Sequence, residues 1–74
     1  MSSPTEAIRE QLMANNDEYQ RLREEHARYA AQLEQLTSKI YLSEQERLEE
    51  VRLKKLKLRV KDQMELLVQR ARTT

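Results

Sequence analysis

Six basic side chains, Arg52, Lys54, Lys55, Lys57, Arg59 and Lys61, stand between Val51 and Lys61 with no acid among them. Charge at that density can neutralise phosphates along a nucleic-acid backbone or bind another anionic surface. On a helix the six divide into two flanks. Lys54, Lys57 and Lys61 fall on one side and Arg52, Lys55 and Arg59 on the other, each bordering an apolar stripe. Long basic stems cover a seam in this way while their heads stay in water. Glu24, Glu25 and Glu34 lie near enough in the expected register to pair with some of them. No aromatic is interleaved with the run, which argues against stacking on single-stranded bases. The reading favours scaffold electrostatics, with a nucleic-acid- or ribosome-associated factor working through residues 52–61 as the alternative.

His26 is the single histidine. As a functional group it would be a proton-sensitive element. As a structural group it is a polar seam residue bonded to a neighbouring carboxylate or basic group, holding the register as buried polar residues can in coiled coils; that second reading is preferred. One histidine, no cysteine and scattered carboxylates make no metal-ligand set. Without glycine no phosphate-cradling loop can form, and no Ser-His-acid set or close carboxylate pair backed by a cleft is present. The expectation is a non-enzyme with no catalytic, cofactor or metal residues, no cofactor and no small-molecule substrate.

What, then, positions these charges? The chain has 74 residues, 36% charged and 4% aromatic, with no Gly, Trp, Phe or Cys and its one proline at position 4. Helices tolerate those absences, whereas sheets need glycine at their turns, so the fold class is all-α. The net charge of +1 argues against a wholesale nucleic-acid arm or an acidic tail. The halves differ, however: residues 1–40 carry five basic and seven acidic side chains, residues 41–74 nine and six, so the two attract. No apolar run approaches the roughly 20 residues needed to span a bilayer. The first fifteen residues hold Glu6 and Glu10 and no apolar segment of the secretory kind, so a cytoplasmic location is expected.

Capping chemistry marks two helix starts. Ser3 with Glu6 around Pro4, and Ser43 with Glu46, each place a serine three residues before a glutamate that can return its hydrogen bond. This predicts helix one over about 4–40 and helix two over about 44–72, with the turn at about 41–43. Asn15 and Asn16, followed by Asp17 and Glu18, carry a weaker start inside helix one. Either a break falls near 14–16 or both asparagines face solvent on one unbroken helix.

From Ile8 the inward candidates step by four and three through Leu12, Asn15, Tyr19, Leu22, His26, Tyr29, Leu33, Leu36 and Ile40. A matching stripe runs Leu53, Leu56, Val60, Met64, Leu67 and Ala71. Pairing Leu33 with Leu53, Tyr29 with Leu56, His26 with Val60, Leu22 with Met64 and Tyr19 with Leu67 gives position numbers that always sum to 85 or 86. The reversal therefore centres on Ser43, the residue capping chemistry had marked independently. A single domain spanning 1–74 follows: a long antiparallel, coiled-coil-like helical hairpin. Ile8 and Leu12 would project beyond the end of helix two.

Leu48, Val51, Leu58 and Leu66 cluster on the face of helix two opposite the seam. A helix apolar on two faces is usually buried between neighbours, and a core of this size rarely supplies more than about 3 to 5 kcal/mol by itself. Self-association through these four residues, with Ile8 and Leu12, is therefore expected, a two-fold dimer forming a four-helix bundle being favoured. The function read from this is a non-catalytic scaffold or adaptor of unknown pathway.

Asn16, Asp17, Glu18, Tyr19, Leu22, Glu25, His26 and Leu33, followed by Leu53, Lys54, Lys55, Lys57, Leu58, Lys61 and Asp62, resemble the pattern of the YdcH-like family of small bacterial proteins of unknown function. The Leu-Lys-Lys, Lys-Leu and Lys-Asp succession is the specific part, and the resemblance covers roughly residues 8–71. It implies a helical hairpin in a bacterial cytoplasm and brings no established activity. In that family an aspartate or serine followed by proline often precedes the aromatic, and here Asp17 stands at the proline position.

Overall fold

A computed structural model describes residues 4–73. Among these the chain forms three helices and no strand: α1 (Pro4–Asn15), α2 (Asp17–Thr37) and α3 (Glu44–Thr73). The fold is all-α. Ser3, expected to cap the first helix, lies outside the described residues.

The region expected as one helix over 4–40 is two, and Asn16 separates them. Its φ of −117° and ψ of 110° are extended, and its side chain accepts a hydrogen bond from the Tyr19 amide at 2.8 Å. An asparagine oxygen can satisfy an orphan N–H of a new first turn, which is why propensity places this residue at caps. Asp17 and Glu18 then meet the positive end of the α2 dipole. The Gln20 side-chain amide donates to the Met13 carbonyl, satisfying a group that α1 leaves open at its end.

α2 stops at Thr37, three residues before the sequence reading. With no glycine, and no positive φ among the described residues, a left-handed cap is not available. The last carbonyls are met by the Ser38 amide on Glu34 at 3.0 Å and by two hydroxyls, Thr37 on Glu34 at 3.2 Å and Ser38 on Gln35 at 2.9 Å. Residues 38–43 form the linker, and Ile40 in it is 101% exposed. The inward position expected for Ile40 is therefore corrected: the seam ends where α2 ends.

At the start of α3 the capping box is complete. The Glu46 amide donates to Ser43 Oγ at 3.1 Å, and the Ser43 amide donates to Glu46 Oε1 at 3.0 Å.

α2 packs along α3, and α1 rests on both. The core consists of Tyr19, Leu22 and Leu33 from α2 and Leu53, Val60 and Val68 from α3. Leu53, at 1% exposure, is the one fully buried large side chain among the described residues. Burying each such aliphatic contributes at most about 1.5–3 kcal/mol. α1 contributes no buried residue, and Ile8 and Leu12 are half-buried. The overhang expected for them is not seen, because the break at Asn16 lets α1 lie against α3 and α2 instead of continuing the line of α2.

The particle is long and thin, 47 × 22 × 18 Å, with a radius of gyration of 15.2 Å. A compact chain of this length would have about 11 Å. Elongation leaves much of the surface uncovered.

Candidate functional site

Of the ten seam residues, Tyr19, Leu22, Leu33, Leu53 and Val60 are buried, and His26, Tyr29, Leu56, Met64 and Leu67 are half-buried. Two further inward candidates, Asn15 and Ala71, are exposed. Asn15 is the last residue of α1 at the break, so nothing holds it in the line of α2.

Val68 is the core residue that sequence reasoning missed. At about 100° per residue it lies roughly 60° round α3 from the Leu53 direction, toward the flank carrying Glu65. That flank is where Arg9 of α1 reaches Glu65 at 2.7 Å. Its burial follows from the placement of α1, which a seam between two helices does not report.

A groove of about 600 Å³ runs between the helices, with Tyr19, Leu33, Leu58 and Met64 supplying apolar lining and Lys54, Lys57 and Lys61 its basic wall. His26 also lines it. The bond from His26 to a neighbouring charged group, expected from its seam position, is absent: its ring makes no hydrogen bond or ion pair among the described residues. Half-buried, it forms part of the groove lining.

The basic run takes its partners locally. Arg52 donates to Glu49 through Nε at 3.1 Å and Nη2 at 2.7 Å, and Lys54 lies 3.6 Å from Glu50. Glu24, Glu25 and Glu34, the partners expected from the other helix, are not used. Carboxylates one turn away on α3 are reached without crossing the seam, and i,i+3 and i,i+4 spacing puts them side by side. The hydrogen bond from Arg52 holds the Glu49 carboxyl below its ordinary range, and the same bond raises Arg52. Lys55, Lys57, Arg59 and Lys61 have no ion-pair partner among the described residues.

At the start of α3, Lys39 from the linker pairs with Glu46. That bond, followed by the one from the Ser43 amide, lowers the Glu46 carboxyl to about 2.

The second face of α3 is open. Leu48, Val51, Leu58 and Leu66 are 49–70% exposed, and they fall within an arc of about 80° along the helix. In the linker Tyr41 is 86% exposed beside Ile40.

Residues 20–68 match a family described as "Protein of unknown function (DUF465)". The chain belongs to the DUF465 family. The DUF465 match covers nearly all of α2, the linker and α3 as far as Val68, so it holds the basic run and the open apolar stripe and leaves α1 outside. Comparison with curated proteins and with solved structures gave no match. Among the described residues no group of three or more His, Cys, Asp or Glu is placed to hold a metal ion, and no helix is long and apolar enough to cross a membrane.

Proposed function

We propose that this DUF465 protein is a helical hairpin that self-associates into a two-fold dimer, a four-helix bundle acting as a non-catalytic scaffold or adaptor. The observation that carries the reading is the exposed stripe of Leu48, Val51, Leu58 and Leu66 on α3. Exposed aliphatic side chains gathered on one face of a helix and set among polar groups mark an association surface. The accessible surface supports it: 6141 Å², against about 4,800 Å² for a compact monomer of this mass. The excess of about 1,300 Å² exceeds the roughly 800 Å² that each partner of a standard interface buries. The hairpin itself is supported by the Lys39–Glu46 pair across the linker and by the packing of α2 along α3.

Light scattering behind gel filtration tests this. The wild type is expected as a dimer and Leu58→Glu as a helical monomer; a wild type that runs as a folded monomer would defeat the proposal.

A second reading has its own observation, the four basic side chains Lys55, Lys57, Arg59 and Lys61 that have no ion-pair partner among the described residues. They would let the protein hold a polyanion such as RNA, with affinity falling steeply as salt rises. Changing Lys54, Lys55 and Lys57 to Glu would abolish that binding without loss of helicity; no binding at low salt would remove the reading. Placement in the YdcH-like group and a cytoplasmic location belong to the proposal, on the residue pattern and the absence of an apolar span.

A further inference from the structure

The open stripe of α3 is not purely apolar. Lys55 and Asp62 lie inside the same arc, on either side of Leu58 along the helix, and both are exposed without an ion-pair partner among the described residues. Leu48 and Val51 precede Lys55, and Leu66 follows Asp62. Read from Leu58 outward in either direction, the order is one charge and then aliphatic side chain, with the opposite charges three residues before it and four after. A surface with that pattern is complementary to itself when one copy is turned end for end.

We infer that the second copy covers this face with α3 antiparallel to α3, on a two-fold axis between Leu58 and Arg59, where Lys55 of each chain meets Asp62 of the other. The inference rests on the self-association proposed above and specifies its geometry. In this register Val51 stands level with Leu66 of the second copy and Leu48 with Gln69, while the two Leu58 side chains adjoin across the axis, so every aliphatic of the stripe is covered. A parallel arrangement fails on charge, since it sets Lys55 against Lys55 and Asp62 against Asp62. Like charges placed opposite one another select against the wrong orientation, while the correct one gains two ion pairs. Isologous two-fold contact requires this reciprocity, in which residue i meets j and j meets i.

The geometry has two further consequences. Ile40 and Tyr41 lie beyond the end of the second α3 and stay outside the interface. Arg59 stands beside the axis on the flank, so two like charges approach there and their heads turn outward to water.

The charge order is tested by Lys55→Asp, Asp62→Lys and the double reversal, each measured by sedimentation equilibrium with helicity as the folding control. Each single change is expected to raise the dimer dissociation constant about tenfold, since both copies of the pair become repulsive, and the double change to return it to within about threefold of wild type. Orientation is tested with a spin label on Gln45→Cys, usable because the chain has no cysteine of its own. Antiparallel pairing puts the two labels about 40 Å apart along the axis, and parallel pairing about 10 Å. A dimeric wild type whose single reversals leave the constant unchanged, or whose labels lie close together, overturns the register and leaves the self-association standing. A monomeric wild type overturns both.

Discussion

Arg9 and Glu65 lie 2.7 Å apart although 56 residues separate them, and this ion pair marks where α1 meets α3. Both side chains are close to half exposed, so solvent screens the pair and its worth is about 0.2–1 kcal/mol. Arg9→Ala is expected to shift the urea midpoint only slightly. Amide exchange should localise it: protection falls across α1, by at most about fivefold, while α2 and the centre of α3 keep theirs. Uniform loss across all three helices would contradict this placement of α1.

The cap at Asn16 is worth more than the ion pair. Asn16→Ala is expected to lower stability by about 1 kcal/mol in urea unfolding followed by helical circular dichroism, with Asn16→Asp nearly neutral. Equal loss in both variants would show that the side-chain oxygen is not what begins α2.

Leu53 has the least exposed side chain of the core. Leu53→Ala is expected to cost about 2–5 kcal/mol, which is comparable with the whole stability of a core this small, about 3–5 kcal/mol. The variant should have lost most of its helix at 25 °C and regain it as protein concentration rises, since association stabilises the folded form. Ile40→Ser, at a fully exposed position, should leave the unfolding curve unchanged.

Glu46 gives the fold a defined acid response. Its carboxyl titrates near 2 when folded against the ordinary 4.5, first because Lys39 bonds it and then because the Ser43 amide does. A depressed carboxylate stabilises the folded state fully above pH 4.5, and the contribution fades as pH falls from there through 2. Carbon-detected titration of the Glu46 carboxyl should find that low midpoint, and Lys39→Met should move it upward without restoring 4.5, because the Ser43 amide remains. A midpoint at 4.5 in the wild type would show that neither the Lys39 bond nor the Ser43 bond forms in solution.

The parts of the fold that were legible in the sequence are those set by local rules. Ser43 and Glu46 announced their capping box because a serine followed by glutamate three residues later has a defined bonding pattern. All ten seam residues are buried or half-buried because the four-and-three spacing keeps one face of a helix inward. The misreadings came from choices that local rules leave balanced. Propensity did not decide whether Asn16 faced solvent or capped a helix, and on that one residue hung the position of α1, the fate of Ile8 and Leu12, and the burial of Val68. Charge partners were misplaced for a related reason. The seam register brought Glu24, Glu25 and Glu34 near the basic run in number, while Glu49 and Glu50 sat one turn away on the same helix. The open stripe was readable in full, because exposure opposite the seam follows from the helical angle alone.

Sedimentation equilibrium of the wild-type protein at tens of micromolar tests the central claim most directly. A mass of twice 8.9 kDa, falling toward 8.9 kDa on dilution or with Leu58→Glu, is the result expected if the Leu48 to Leu66 stripe is covered by a second copy. A particle of 8.9 kDa that stays fully helical at every concentration would contradict it.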